Sequence, residues 1–130
     1  MFQMFKPDTY RGKRVRYSAA MRTVGVTGHA ALCLRIDGPD TGRHGRSLAF
    51  DNMDDRPRIS GTTGWSRYSC VLDVPADATA IFISNMLSGQ GELFWGDVRF
   101  EVVDDSVPVT DMLRTYAIRD QPVNLDFSEA

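Results

Sequence analysis

Residues 51–75, DNMDDRPRISGTTGWSRYSCVLDVP, decide the fold of this 130-residue chain. From residue 65 to residue 74, polar and apolar side chains alternate, and one parity is apolar: Tyr68, Cys70, Leu72 and Val74. Successive side chains of a strand point to opposite faces, so this alternation predicts a strand with one buried face. The glycines of residues 61–64 before it and Pro75 after it are turn signals.

The same alternation recurs on both sides of this stretch. It predicts a short extended segment at residues 2–5 and strands around residues 14–21, 32–36, 48–50, 78–87 and 93–103. Turns are expected at residues 25–29, 37–42 and 88–91, the last of them as a hairpin turn, and a bulge is expected at Gly96. No segment shows a convincing helical period with caps. The sequence therefore predicts an all-β, antiparallel, jelly-roll-like β-sandwich. The predicted core is Val15, Tyr17, Leu32, Leu34, Ile36, Tyr68, Cys70, Leu72, Val74, Ile81, Ile83, Val98 and Phe100.

Length and composition favour one domain over residues 1–130, with residues 104–130 as a C-terminal extension that packs on it. No apolar run approaches a membrane span, and the N-terminal residues lack the pattern of a signal peptide, so we expect a cytoplasmic protein without membrane contact. Cys33 and Cys70 match no metal-binding or CxxC spacing, and we expect free thiols rather than a disulfide.

Charge is distributed unevenly along the chain. Up to Cys70 there are twelve Lys and Arg residues against six Asp and Glu, and after it there are three against eleven. Separate partners for the two halves are one interpretation. We favour another, in which N-terminal and C-terminal strands lie side by side and opposite charges meet as cross-strand pairs. The basic residues near Arg14 and Arg16 are then a solvated strand face rather than a nucleic-acid site.

Several motifs resemble one bacterial domain family: YRGKRVRYSA, LRIDGPD, LAFDNMDDRP, ISGTTGW, GQGELFWGDVRFEVVD and PVNLDF. Together they resemble a galactose-binding, carbohydrate-binding-module-like β-sandwich that occurs appended to AraC-type and other transcription regulators and to some peptidases. The resemblance covers nearly the whole chain. It implies a galactose-binding-domain-like fold and a non-catalytic module that binds a small molecule or glycan, as in the sensor part of a regulator. No helix-turn-helix lies among these residues, so we expect no direct contact with nucleic acid.

The outward-facing row of the predicted strands is the candidate ligand face. We assign to it Arg35, Asp51, Asn85 and Trp95, with Trp65 at the rim. Arg35 would fix an anionic or hydroxylated group, Asp51 and Asn85 would form hydrogen bonds, and Trp95 would stack on a flat ligand. For Trp65, packing at the edge of the core is favoured over stacking, whereas Trp95 suits either role equally.

No cofactor, metal or catalytic residue is expected. Asp51, Asp54 and Asp55 are close in sequence, but their spacing does not fit an EF-hand loop, and Arg56 and Arg58 follow them. Salt bridges and turn capping are the favoured interpretation, with a structural calcium ion as the alternative.

Two other functions stay open. The first is a protein-interaction module: without the additional N-terminal strand that relatives carry before the QMF segment, a sheet edge would be open, which favours a homodimer or docking to another protein. The second is a small enzyme, such as a cyclase or isomerase that uses a cavity of the sandwich. His44 with Asp51 is then a candidate acid–base pair, although nothing in the local sequence enforces it.

Overall fold

The longest strand, β2, organises the fold. It runs for 25 residues, from Arg14 to Gly38. A straight strand of that length would extend about 85 Å. Instead, its pairing register shifts repeatedly between Met21 and Ala30, and one hydrophobic core contains residues from both of its halves. The strand therefore bends over the core and contributes to two layers.

The computed structural model describes residues 2–39 and 46–113. Its strands are β1 (Phe2–Phe5), β2 (Arg14–Gly38), β3 (Arg46–Asp51), β4 (Ile59–Asp73), β5 (Ala80–Ser88) and β6 (Glu92–Val103). A single 3-10 turn, Asp8–Tyr10, follows β1. In these ranges, no helix has the length and hydropathy that a transmembrane span requires.

β2 has partner strands along both of its edges, and all of these pairings are antiparallel. On one edge, β4 pairs with the first half of β2 and β3 with the second half. On the other edge, β6 pairs with the first half and β5 with the second half, and β1 pairs with β5. Layer A is therefore β4, the first half of β2, and β6. Layer B is β3, the second half of β2, β5 and β1.

The two layers pack face to face around the core. Val15, Tyr17 and Met21 of layer A and Leu34 and Ile36 of layer B are completely buried. Aromatic rings also join the layers at one end, because Phe5 of β1 lies 5.2 Å from Phe100 of β6, edge to face. The all-β, jelly-roll-like sandwich predicted from the sequence is confirmed.

Glycines build the corner at which β2 bends. Gly25 and Gly91 have positive φ angles of 60° and 124°, which favour glycine. A Cβ atom on Gly91 would lie 2.6 Å from the Cα of Val26. Two hydrogen bonds of 2.8 Å hold the corner: the Thr27 N–H donates to the Gln90 carbonyl, and the Gln90 N–H donates to the Thr27 hydroxyl. The approach is so close that a side chain would push the two chain segments apart.

The structure corrects three of the predicted turns. Residues 25–29 lie within β2, and residues 61–64 lie within β4, which begins at Ile59. Residues 88–91 are not the turn of a β5–β6 hairpin, because both strands pair with β2, on either side of its bend. Glycine marks an unusual backbone angle at all three places, but the strand pairing continues through or past it. Of the turn predicted at residues 37–42, residues 37 and 38 lie at the end of β2, and residues 40–42 lie outside the described residues.

Ten of the thirteen predicted core residues are buried. Tyr68 and Phe100 are half-buried and pack against the core, but Val98 is exposed. Val98 follows a bulge in β6, an edge strand of layer A, so its side chain is not covered by a neighbouring strand. Both cysteines are free thiols, as predicted. Burial raises the pKa of the Cys70 thiol well above its usual value, since the core disfavours the thiolate.

The C-terminal segment is tied to layer A and layer B by backbone contacts. The Thr110 N–H donates to the Val71 carbonyl at 2.8 Å, and the Val71 N–H donates to the Thr110 hydroxyl at 2.9 Å. The Asp111 carboxylate accepts a hydrogen bond from the Phe50 N–H at 3.2 Å. Residues 114–130 lie outside the described part of the chain, so packing of the whole extension from residue 104 to residue 130 stays a prediction.

Candidate functional site

The outward side of layer A is rich in arginine. In the first half of β2, buried and outward-facing side chains alternate along RVRYSAAMR, residues 14–22. Its outward residues are Arg14, Arg16, Ser18, Ala20 and Arg22. The buried residues of the opposite parity hold the strand on the core, so the arginines are fixed at regular spacing on the other face.

Carboxylates from the flanking strands partner two of these arginines. Arg14 contacts Asp73 of β4 at 2.7 Å, and Arg16 contacts Glu101 of β6 at 2.9 Å. The hydrogen bond to Asp73 is the main cause of a raised Arg14 pKa. Basic N-terminal and acidic C-terminal segments thus meet as cross-strand pairs, and this prediction is confirmed.

A groove of about 200 Å³ lies in the middle of this face. Its lining is Arg16, Ser18, Arg67, Ser69, Arg99 and Glu101. The Arg67 guanidinium donates to the Ser18 hydroxyl at 2.9 Å and to the Asp97 carbonyl at 3.1 Å, and it also pairs with the Asp97 carboxylate. Arg99 pairs with the same Asp97 carboxylate at 3.0 Å. One carboxylate is therefore shared between two guanidinium groups.

A β-bulge places this shared carboxylate. The register of β6 against β2 shifts between Ser18 and Ala20, and Asp97 has a positive φ of 47°. The predicted bulge at Gly96 is confirmed. Because Gly96 pairs with Ala20 across the strands, this part of the face has little side-chain bulk. Small residues therefore lie between the groove and the far end of the layer.

Two exposed aromatic rings stand at that far end. The Arg22 guanidinium lies 4.0 Å from the ring centroid of Phe94 and 5.7 Å from that of Trp65. Both distances are typical of cation–π contacts, which hold Arg22 between the two strands that flank it. Trp65 is 57% exposed. The expectation that Trp65 packs at the edge of the core is therefore wrong, because its strand turns this ring outward.

The groove combines the groups that recognise a hydroxylated ring. An exposed aromatic face stacks on the apolar face of a sugar, and guanidinium, hydroxyl and carboxylate groups bond to its hydroxyls in defined directions. Within residues 2–39 and 46–113, no three His, Cys, Asp or Glu side chains are grouped so that they could hold a metal ion.

The structure does not bring the five predicted site residues together. Arg35 lies on the outward side of layer B, with its guanidinium 3.9 Å from the Phe82 ring centroid and 3.0 Å from Asp37. Trp65 lies on the outward side of layer A. These two faces are on opposite sides of the sandwich.

Asp51 is completely buried, so the expectation that it faces a ligand surface is corrected. Its carboxylate accepts hydrogen bonds from the Met53 N–H at 2.8 Å, from the Arg56 guanidinium and from the Thr110 hydroxyl. Salt bridging and turn capping at this aspartate were predicted, and both are confirmed. His44, its proposed acid–base partner, lies outside the described residues.

Asn85 and Trp95 lie on the inward sides of their strands. Asn85 pairs with Leu32, and Trp95 pairs with Met21, both of which are core residues. Their assignment to the outward row is corrected: Asn85 shares the parity of buried Ile81 and Ile83, and the bulge at Gly96 obscures the parity of Trp95. Trp95 is nevertheless 42% exposed because β6 is an edge strand.

Sequence reasoning missed most of the groove. The arginines of β2 were recognised as an outward row but interpreted only as a solvated face. Alternation places Arg67 and Ser69 on the polar parity of β4, but the sequence assigns a binding role to neither of them, nor to Arg99 and Glu101. The sharing of Asp97 could not be read from the sequence, because it depends on the bulge geometry.

No protein-family model matches the chain. The chain is 44% identical over 129 residues to YbfP of Bacillus subtilis (strain 168), an uncharacterized HTH-type transcriptional regulator. The match covers 99% of the chain but only 42% of that regulator. The chain therefore spans less than half the length of the curated relative that it matches.

Two solved carbohydrate-binding-module structures are more distant. One is a CBM4 structure, with a TM-score of 0.49, 18% identity, and coverage of 78% of this chain and 59% of that chain. The other contains the CBM22-1 and GH10 modules of Clostridium thermocellum xylanase 10B complexed with xylohexaose, with a TM-score of 0.49, 18% identity, and coverage of 82% and 20%. Similarity at this level identifies no ligand for this chain.

Proposed function

We propose that this chain is a non-catalytic module that binds a hydroxylated ring, such as a saccharide, in the groove of layer A. The observation that carries the proposal is that the exposed Trp65–Arg22–Phe94 cluster shares one face with a groove lined by arginine, serine and glutamate. Stacking surfaces and directional polar groups lie on one face, as recognition of a sugar ring requires.

The rigidity of this face supports the proposal. Each groove side chain stands on a strand that is fixed by the core, and ion pairs or hydrogen bonds already position Arg16, Arg67 and Arg99. Preorganised side chains lose little rotamer freedom on binding, so more of the contact energy appears as affinity.

The relative named above supports a role in transcriptional regulation. We propose that the module senses its ligand in the cytoplasm as part of, or together with, a regulator that supplies the DNA-binding helices. A ligand in the groove would then change the regulator through an interface outside layer A.

Calorimetric titration with a panel of mono- and oligosaccharides and small metabolites tests ligand binding. We expect binding by the wild type, and we expect Trp65→Ala to weaken it by about tenfold or more because the stacking surface is lost. Trp95→Ala discriminates between the two tryptophans, since the sequence pattern leaves stacking open for Trp95 and disfavours it for Trp65. Circular dichroism spectra establish that both variants fold. Absence of heat with every compound, or loss of binding with Trp95→Ala but not with Trp65→Ala, would contradict the proposal.

A second candidate function is self-association through layer B. Phe2, Met4 and Met86 are exposed on its outward side, and Phe2 lies 5.6 Å from the Phe82 ring. The strand β1 is at the edge of this layer. Two copies can pair antiparallel along β1 about a twofold axis, which would join the sheets and bring the apolar faces together.

Sedimentation velocity over a range of protein concentrations tests the dimer. We expect a concentration-dependent shift from monomer to dimer, and we expect Met4→Lys to abolish the shift because a charge on an edge strand opposes pairing. Trp65→Ala, on the other layer, is the control and should not change the shift. A wild-type protein that sediments as a monomer at all concentrations would contradict this function.

A further inference from the structure

We propose that the ligand of the groove is anionic, namely a hydroxylated ring that carries a carboxylate or phosphate group. This inference rests on the proposed function and makes its ligand more specific. The observation that carries it is the excess of guanidinium over carboxylate groups at the groove.

The charges at the groove can be assigned residue by residue. Three arginines line it: Arg16, Arg67 and Arg99. Two carboxylates pair with them, Glu101 with Arg16 and Asp97 with both Arg67 and Arg99. The groove therefore carries an excess of one positive charge, whereas the chain as a whole has a net charge of −2. Such a groove attracts an anion and disfavours a cation.

Two positions on this face have a guanidinium group that is not matched by its own carboxylate. Asp97 is shared between Arg67 and Arg99, so one guanidinium charge beside the groove has no carboxylate of its own. Among the described residues, Arg22 has aromatic rings rather than a carboxylate beside its guanidinium. The first position opens into the groove, and the second lies beside the stacking ring of Trp65.

A bound anion would complete this arrangement. Arg99 is 56% exposed and can turn one edge of its guanidinium toward a ligand while Arg67 keeps its contact with Asp97. Guanidinium groups bind carboxylate and phosphate oxygens through paired N–H donors, which gives stronger and more directional contacts than neutral hydroxyls do. With the sugar ring on Trp65, the acidic substituent would lie over Arg67 and Arg99.

Matched sugars test the inference by calorimetry. The probes are galactose, galacturonic acid and galactose 6-phosphate, with glucose, glucuronic acid and glucose 6-phosphate as a second series. In at least one series we expect an acidic sugar to bind about tenfold or more tightly than the neutral parent. The uronic acid and the phosphate ester distinguish the two sources of negative charge. Raising the salt concentration from about 0.05 M to about 0.5 M should weaken the acidic sugar more than the neutral one.

The Arg99→Gln variant tests whether Arg99 is responsible for the preference for the acidic sugar. In the variant, the ratio of the affinities for the acidic sugar and its neutral parent should fall to near one. Arg58→Gln is the matched control, because Arg58 is equally exposed at 56%, contacts one carboxylate at 3.5 Å and lies outside the groove. It should keep the preference. Equal affinity for neutral and acidic sugars in both series would overturn the inference but leave the proposed function intact. Absence of binding by every probe would overturn both.

Discussion

Replacing Asp51 by asparagine is expected to lower the free energy of unfolding by about 3–5 kcal/mol, the range for breaking one partner out of a buried ion pair. Asp51 is completely buried, and its carboxylate is bound by Arg56, Thr110 and the Met53 N–H. Asparagine keeps the shape but removes the charge, which leaves the Arg56 guanidinium without its buried partner. The loss should also weaken the attachment of Thr110 to β4.

Urea denaturation followed by tryptophan fluorescence measures this effect. The matched control is Asp54→Asn, the same chemical change in the same loop. Asp54 is exposed and contacts Arg58 at 3.5 Å, so its replacement should cost less than about 1 kcal/mol. If the two variants were equally stable, Asp51 would not be the anchor that holds this loop and the C-terminal segment together.

Gly91→Ala is expected to destabilise the protein by at least about 2 kcal/mol, because a residue with a side chain is strained at this backbone angle. The φ of Gly91 is 124°, and a Cβ atom there would lie 2.6 Å from the Val26 Cα and 2.7 Å from the Gly25 carbonyl oxygen. These atoms are backbone atoms of β2 at its bend. They cannot move without disturbing the pairing on both sides of the corner.

Gly64→Ala is the control for the corner. Gly64 lies outside the left-handed region, and nothing lies within 4 Å of a Cβ atom built on it. Replacing this glycine within a strand should leave stability unchanged or raise it by up to about 1 kcal/mol. Thermal unfolding of the two variants compares them directly. Equal melting temperatures would show that the close approach at the corner does not hold the two layers in place.

The alternation of polar and apolar residues predicted the strands and the core. Neighbouring residues of a strand point to opposite faces, so the buried face can be recognised from a short stretch of sequence. It placed Tyr17, Leu34 and Leu72 correctly, and all three are completely buried. It could not show that β2 continues through residues 25–29. Glycine marks an unusual angle in a turn and in a bent strand alike, and only the partner strands distinguish the two.

The candidate site was harder to predict because parity cannot be counted across a bulge. Trp95 and Phe100 are five residues apart, so regular alternation would place them on opposite faces, but the shift at Gly96 turns both inward. Counting parity from Phe100 therefore assigns Trp95 to the wrong face. The buried Asp51 carboxylate accepts a hydrogen bond from Thr110, which is 59 residues away in the sequence. Long-range contacts of this kind leave no local pattern in the sequence. The arginine row on β2 can be recognised from the sequence because its residues alternate with core residues.

The indole N–H signals of the two tryptophans provide the most direct test of the central claim, which is that the outward side of layer A binds the ligand. Trp65 lies on this side, and Trp95 lies on the inward side at the strand edge. A proton–nitrogen correlation spectrum recorded during titration with the tightest-binding sugar acid should show a shift of the Trp65 signal and little change of the Trp95 signal. The Trp65→Ala variant assigns the two signals. A shift confined to Trp95, or to amides of layer B around Arg35 and Phe82, would contradict the account.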